Sequence, residues 1–169
     1  MKIDFNQQLE LQIPSLRRYA RSLIADPVLA DDLVQDCLER ALSYQSRWTQ
    51  GSDLRAWLFT LMHNLYVNQI RRWNRSPIVP LSEHMESEAV AEKPQQADLS
   101  LQIQTLMNQL PFQQREVLAL VAIEGFSYQE VADIAGAPIG TVMSRLHRAR
   151  ESMRQGLSSD LRPELRRIK

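Results

Sequence analysis

A chain of 169 residues with 44% hydrophobic side chains is long enough to bury one large core or two small ones. Its 5 glycines argue against a turn-rich all-β fold. The 20 basic and 20 acidic side chains give a formal net charge of +0, so phosphate contacts alone would hold nucleic acid only weakly.

The charges are unevenly distributed along the chain. Residues 1–75 carry 10 basic and 8 acidic side chains, and residues 101–169 carry 9 and 7. Residues 76–100 carry 1 basic and 5 acidic side chains. Two mildly basic blocks therefore flank an acidic segment, a pattern that the whole-chain charge conceals.

Several classes of protein are disfavoured by what the sequence contains. Cys37 has no second cysteine to pair with, which suits a reducing compartment, and residues 1–6 lack an apolar signal core. The longest apolar run, Val117 to Ile123, is too short to span a membrane. Neither a metal-ligand cluster nor a phosphate loop or nucleophile motif is recognisable. We therefore expect a cytoplasmic, non-enzymatic protein with no catalytic residues, metal, cofactor or membrane insertion.

The first strong helical pattern runs over residues 28–44, with Asp26 as a plausible N-cap and Pro27 at the first helical position. One face is apolar: Ala30, Leu33, Val34, Cys37, Ala41 and Tyr44. The opposite face is acidic or polar: Asp32, Gln35, Asp36, Glu39 and Ser43. Such carboxylates repel phosphate, so this face either is solvated or binds a protein, and the pattern alone favours the solvated reading.

A second helix is predicted over residues 54–73, capped by Ser52 or Asp53. Its predicted core stripe is Leu54, Leu58, Leu61, Met62 and Leu65. Another stripe combines an aromatic ring with polar groups: Trp57, Thr60, Asn64, Asn68 and Arg71, followed by Arg72, Trp73 and Arg75. Stacking rings and amides suit single-stranded nucleic acid, whereas a tryptophan packed in a core is the alternative.

Residues 76–98 contain three prolines and many Ser and Glu residues, which predicts a flexible acidic linker. Beyond it, helices are predicted over 99–110 and 113–124, the latter ending at Gly125. The capping-box pattern at 127–130 then begins a short helix that stops at Gly136. Pro138 opens a long helix to about residue 155, and the pair has the layout of a helix-turn-helix.

The long helix is predicted to have two faces. The inward face would contain Ile139, Val142, Leu146, Ala149 and Met153. The outward face would present Ser144, His147, Arg148, Glu151 and Arg154, with Arg145 and Arg150 on the flanks. One buried face and one face of donors suit insertion into the DNA major groove, with flanking arginines on phosphates. An ordinary helical hairpin with a solvated basic face is the alternative.

Two parts of the sequence resemble bacterial sigma factors. The runs DDLVQDCLERAL (31–42) and LRAWLFTLMHNLYVNQIRR (54–72) are similar to the core region of bacterial sigma factors. The run LPFQQREVLALVAIEGFSYQEVADIAGAPIGTVMSRLHRARESMR (110–154) is similar to the C-terminal promoter-binding region. The length and order resemble the small two-domain branch, the extracytoplasmic-function sigma factors. This resemblance implies an all-α chain with a helical domain at 1–75, the linker at 76–98 and a helix-turn-helix domain at 99–169.

The resemblance also implies a function, its partners and a set of site residues. The partners would be core RNA polymerase, promoter DNA and an anti-sigma factor, with transcription initiation serving a stress or envelope response. The residues implied to bind core polymerase are Asp32, Gln35, Asp36 and Glu39. Those implied to melt and read the downstream promoter element are Trp57, Asn64, Asn68, Arg71 and Arg72. Those implied to read the upstream element are Thr141, Ser144, Arg145, His147 and Arg148.

One residue departs from the family pattern, and two other functions stay open. At Met143 the family often carries Arg or Lys, so the bases read there differ or a phosphate contact is missing.

A stand-alone helix-turn-helix regulator would bind DNA tightly by itself, usually as a symmetric dimer. An enzyme acting on nucleic acid would need a metal-binding carboxylate cluster or a catalytic base, and the carboxylates at 31–36 have no histidine or lysine nearby.

Overall fold

The structure, a computed structural model, describes residues 4–75 and 96–160. Within those ranges every regular element is a helix, which confirms the all-α prediction. The α-helices are α1 (Phe5–Leu23), α2 (Pro27–Ser43), α3 (Leu54–Arg75), α4 (Gln96–Gln109), α5 (Phe112–Leu118), α6 (Tyr128–Ala135) and α7 (Ile139–Asp160). A 3₁₀ turn (Gln45–Arg47) follows α2, and a π-helical segment (Ala119–Ile123) continues α5.

The N-terminal caps follow from local chemistry. A carboxylate oxygen of Asp26 accepts hydrogen bonds from the first free N–H groups of α2, at 2.8 Å from Val28 N. Asp53 rather than Ser52 caps α3, because its carboxylate accepts from the backbone N–H of Ala56 at 3.1 Å. Ser52 instead donates its hydroxyl to the carbonyl oxygen of Thr49. Short polar side chains therefore fix where these two helices begin.

The limits of the helix-turn-helix follow the predicted signals. The Ser127 hydroxyl accepts from the Glu130 N–H at 3.2 Å, and the Glu130 carboxylate accepts from the Ser127 N–H at 2.7 Å. This reciprocal capping box confirms the start of α6. Gly136 ends α6 with a φ of +60°, a left-handed conformation that costs glycine nothing. This turn separates α6 from α7.

Helices α1, α2 and α3 form an N-terminal domain around one apolar core. Its largest fully buried side chains include Leu16, Tyr19, Leu23, Leu33, Phe59 and Met62. The buried residues Phe59 and Tyr66 of α3 lie outside the predicted core stripe, whereas the predicted Leu61 and Leu65 are half-buried. The core of α3 is therefore broader than one stripe, because α3 is covered from more than one side.

Helices α4 to α7 form the C-terminal domain, in which α5 and α6 pack on α7. Gly156 of α7 packs against α4, where a Cβ atom would meet the side chain of Leu106. The predicted helix over 113–124 exists but becomes π-helical at Ala119–Ile123. Helix α4 begins at Gln96, so most of the predicted linker 76–98 lies outside the described residues.

The two domains share one apolar core. Phe59 of α3 meets Phe126 edge-on at a centroid distance of 4.9 Å, and Tyr66 meets Phe112 at 5.0 Å. Aromatic pairs of this geometry stabilise by about 0.5–1.5 kcal/mol beyond the area that they bury. Helix α3 and the helix-turn-helix therefore lie against each other.

Candidate functional site

The predicted polymerase-binding residues share one exposed surface of α2, the acidic α2 surface: Asp32, Gln35, Asp36 and Glu39. The opposite side of α2 is anchored in the core, where Leu33 is buried and the Cys37 thiol lies 3.6 Å from the Leu58 carbonyl oxygen. Burial raises the pKa of Cys37 to about 12. Because that side is fixed, the carboxylates of the other side project into solvent, where a protein could reach them.

The predicted downstream-reading stripe of α3 is mostly exposed. Asn64, Asn68, Arg71 and Arg72 are exposed, so their amides and guanidinium groups are available to a ligand. Trp57 is half-buried and packs against the core, so only part of its ring remains available for stacking on a base. The stripe thus combines one anchored aromatic ring with a row of accessible hydrogen-bonding groups.

A groove of about 460 Å³ between α2 and α3 brings two of the predicted surfaces together. Asp36 and Glu39 line one side, and Asn68 and Arg72 line the other. The residues assigned to polymerase binding and to the downstream element are therefore neighbours. A partner bound to α2 would therefore lie beside Asn68 and Arg72 of α3.

A second cavity, of about 330 Å³, lies between α3 and the helix-turn-helix. His63 and Arg71 of α3 face Gly136 and Arg145 across it. Arg71 is predicted to hold the downstream element and Arg145 the upstream one. The structure places these two arginines on one shared cavity rather than on separate surfaces.

Helix α7 confirms most of the predicted division into faces. Val142, Leu146 and Ala149 are buried, whereas the base-reading candidates lie on the other side, with Ser144, His147 and Arg148 exposed and Thr141 half-buried. The Ser144 hydroxyl donates to the Thr141 carbonyl oxygen at 3.0 Å, so it can still accept from a base. This face has the side chains that contact base edges in a major groove.

The assignment of Ile139 to the inward face is wrong, because 43% of its surface is exposed. It is the first residue of α7 and directly follows the exposed turn at Gly136 and Pro138. Helical periodicity alone assigned it to the core, but the domain does not yet cover the helix there. An apolar side chain therefore stands in solvent at the start of α7.

Further along α7, an ion pair lies within the helix itself. Arg154 donates to Glu151 through Nη2 at 2.7 Å and through Nε at 3.2 Å. These hydrogen bonds lower the pKa of Glu151 to about 2. The outward residues of the first turns of α7, rather than this later pair, are therefore the better candidates for contact with bases.

Two buried glutamates that the sequence reasoning missed join the domains. Glu116 of α5 is 1% exposed, and its Oε1 accepts a hydrogen bond from the Tyr19 hydroxyl at 2.8 Å. The same oxygen lies 2.5 Å from Nδ1 of His63. Burial, reinforced by the Glu116 carboxylate, raises the pKa of Tyr19, so the phenol stays a donor.

Glu124 forms a second interdomain contact, with two arginines. Its fully buried carboxylate lies 3.1 Å from Nη2 of Arg18 and 3.1 Å from Nη2 of Arg55. Arg55 also donates to the Glu124 carbonyl oxygen at 2.6 Å and stacks over the ring of Phe126 at 4.1 Å. In the sequence, Glu116 and Glu124 directly flank the longest apolar run, a position that could have signalled buried carboxylates.

A third contact uses a backbone acceptor. Arg115 donates through Nη1 to the carbonyl oxygen of Leu23 at 2.7 Å and through Nη2 to that of Leu110 at 3.0 Å. Burial lowers the pKa of Arg115. The end of α1 and the end of α4 are thus tied to one guanidinium group.

Within residues 4–75 and 96–160, no group of three or more His, Cys, Asp or Glu side chains could hold a metal ion. None of the helices in those ranges combines the length and the hydropathy needed to cross a membrane.

Family models match both halves of the chain. Residues 9–63 match the family described as the Sigma2 domain of PhyR, and residues 100–153 match Sigma-70, region 4. The second match contains α5, α6 and most of α7, and the first contains α2 and the beginning of α3.

Similar whole proteins are also known. The chain is 39% identical over 143 residues to the ECF RNA polymerase sigma factor EcfG of Rhodopseudomonas palustris, covering 83% of this chain and 78% of that one. It is 29% identical to a probable RNA polymerase sigma-C factor of Mycobacterium bovis, over 77% and 71% of the two chains.

Solved structures give the same picture. The sigma factor RpoE of Bartonella quintana, in complex with the anti-sigma factor NepR, superposes with a TM-score of 0.77 at 39% identity, covering 93% of this chain and 98% of that one. CnrH, in complex with the cytosolic domain of CnrY, gives a TM-score of 0.67 at 26% identity, over 92% and 88%.

Proposed function

Because this chain belongs to the extracytoplasmic-function family of RNA polymerase sigma factors, we propose that it binds core RNA polymerase and directs it to specific promoters. The observation that supports this proposal is the division of helix α7 into a buried and an exposed face. The helix buries Val142, Leu146 and Ala149 while presenting Ser144, His147 and Arg148 to solvent. A helix with that division can enter a major groove and read the upstream promoter element. The protein then acts by binding rather than by catalysis, in the cytoplasm beside the polymerase.

The N-terminal domain contributes the other two contacts of the proposed function. The acidic α2 surface binds the polymerase, since carboxylates there would be repelled by DNA but attracted by a basic protein surface. Asn64 and Asn68 read bases of the downstream element once the strands separate, with Trp57 offering part of its ring. The shared groove between α2 and α3 supports this division, because it puts a melted strand beside the polymerase that opens it.

Anti-sigma control is the third part of the proposal. The Bartonella sigma factor of the same fold and 39% identity is seen in complex with the anti-sigma factor NepR. We therefore expect an anti-sigma protein to compete with core polymerase for this chain. The biological response served by this control is a stress or envelope response, as the family resemblance implies.

The stand-alone helix-turn-helix regulator predicts a different experimental result. Such a protein binds promoter DNA tightly without polymerase, whereas the net charge of +0 gives this chain little phosphate affinity of its own. It would also leave the acidic α2 surface and the α3 stripe without a role. Gel shifts of promoter DNA with and without core polymerase separate the two functions.

The direct test is run-off transcription by core polymerase reconstituted with the purified chain on a library of upstream elements. We expect promoter-specific transcripts only when core polymerase and the purified chain are both present. Arg148→Ala should relax the preference at one or two base pairs, by roughly 1–3 kcal/mol per lost bidentate contact. Arg154→Ala is the matched control, since Arg154 is engaged by Glu151. Tight promoter binding by the chain alone, with no gain from core polymerase, would overturn the proposal.

A further inference from the structure

Two apolar side chains stand in solvent at the start of the recognition helix α7. Met143 is 51% exposed and Ile139 is 43% exposed. They are four residues apart, one helical turn, so their side chains are neighbours along one edge of the helix. His147 lies a further turn along the same row, and it is exposed too. The apolar pair therefore lies on the same row of α7 as His147, which is predicted to read bases of the upstream element.

This row lies away from the interdomain cavity. Arg145, on the other flank of α7, lines the cavity shared with α3, whereas Ile139 and Met143 do not line it. The packing of the two domains therefore does not cover the apolar pair. Its position in the first turns of a recognition helix is where side chains reach base edges.

We propose that Met143 and Ile139 recognise the 5-methyl group of thymine in the upstream promoter element. This inference rests on the proposed function and adds a specificity determinant to it. Neither side chain can donate a hydrogen bond to a base or pair with a phosphate. The apolar group that a base pair offers in the major groove is the thymine methyl, which apolar side chains contact. A sulfur-containing, flexible side chain such as Met143 can follow the position of that methyl closely.

The expected size of the effect follows from one buried methyl group. Removing a buried CH₂-sized group costs about 0.8 kcal/mol, which corresponds to roughly a fourfold change in binding. The effect is thus smaller than the loss of an arginine's bidentate contact, but it is specific to one atom of one base. A methyl contact also involves no phosphate, so its contribution should be independent of salt.

The experiment uses the holoenzyme, formed from the full chain and core polymerase, on the upstream element that it selects from a randomised library. Each thymine of that element, on either strand, is replaced in turn by deoxyuridine, which lacks only the 5-methyl group. With the wild-type chain, transcription should fall roughly threefold to fivefold at one or two of these thymines. Met143→Ala should transcribe the thymine and deoxyuridine templates equally at its position, and Ile139→Ala at the same or the adjacent one.

Two further variants sharpen the test. Leu101→Ala removes a similarly exposed apolar side chain from α4, outside the helix-turn-helix, and should keep the full discrimination. Met143→Lys should lose the discrimination but make transcription more dependent on salt, because a lysine there can reach a phosphate. Leu101 and Met143 are both exposed, so the helical circular-dichroism signal and the melting temperature of these two variants should match those of the wild type.

Specific outcomes would overturn the proposal. These are an upstream element without thymine, equal transcription of all thymine and deoxyuridine templates by the wild type, or undiminished discrimination in both alanine variants. Failure of the proposed function looks different, because the wild-type holoenzyme would then transcribe no promoter selectively at all.

Discussion

The buried carboxylate of Glu124 should hold the two domains together, and Glu124→Gln tests this directly. The side chain accepts hydrogen bonds from Arg18 Nε at 3.2 Å, Arg18 Nη2 at 3.1 Å and Arg55 Nη2 at 3.1 Å. Glutamine keeps the shape but removes the charge, and it turns an NH₂ group toward one of these donors. Charge-assisted hydrogen bonds contribute about 1.5–3 kcal/mol each and neutral ones about 0.5–1.5 kcal/mol.

The expected loss must be discounted for solvent. The side chains of Arg18 and Arg55 are 54% and 31% exposed, so water replaces part of what they lose. We therefore expect the packed arrangement to lose about 2 kcal/mol relative to separated domains, roughly a thirtyfold change in the ratio of the two. Each half should stay folded, since the polar partners of Glu124 in the N-terminal domain are Arg18 and Arg55 and the apolar core is unchanged by the substitution.

Intramolecular fluorescence transfer measures this ratio in the chain by itself. Ser46→Cys and Ser152→Cys, both at exposed positions in different domains, accept the two dyes, while Cys37 is buried and should stay unlabelled. Glu124→Gln should add a population with low transfer efficiency. Glu151→Gln is the control, because its ion pair with Arg154 lies within α7. Identical transfer distributions for the wild type and Glu124→Gln would refute the reasoning.

Four smaller predictions concern the surfaces and the core. Changing Asp36 and Glu39 together to Arg should abolish pull-down of core polymerase without loss of helicity, and normal affinity would contradict the assignment of α2. Asn68→Ala should slow open-complex formation, and a pre-melted bubble template should restore part of the rate; equal impairment on duplex and bubble would place the residue elsewhere. Arg148→Ala should leave core-polymerase affinity unchanged in the same pull-down. Cys37, whose pKa is raised to about 12, stays protonated at pH 8, so a thiol reagent should modify it only after unfolding.

Local signals in the sequence predicted much of this architecture. The capping box at Ser127 and Glu130 and the terminal glycines at 125 and 136 act within a few residues, so their helix limits could be derived without any tertiary information. Periodicity likewise predicted the buried face of α7. The periodicity wrongly assigned Ile139 to the buried face. The helical period extends to the first residue of α7, but the rest of the domain does not cover the helix there.

The contacts between the domains could not be derived in this way. Glu116 and Tyr19 are 97 residues apart, and Glu124 and Arg18 are 106 apart. No helical or strand period connects such positions, and a glutamate or an arginine by itself is typical of a solvated surface. The candidate site residues were placed mainly by the family resemblance, and the sharing of one cavity by Arg71 and Arg145 emerges only from the tertiary arrangement.

The packing of α3 against the helix-turn-helix also limits how far the chain can reach along DNA. In the sigma-factor family that the chain resembles, the downstream and upstream elements lie near positions −10 and −35, so they are about 25 base pairs or about 85 Å of duplex apart at 3.4 Å per base pair. A compact body of this chain length has a radius of gyration of only about 15 Å. With Phe59 and Phe126 in contact, the chain therefore cannot span a promoter. Reading both elements at once requires the two domains to separate, and the apparent promoter affinity is scaled down by the fraction of molecules that are extended.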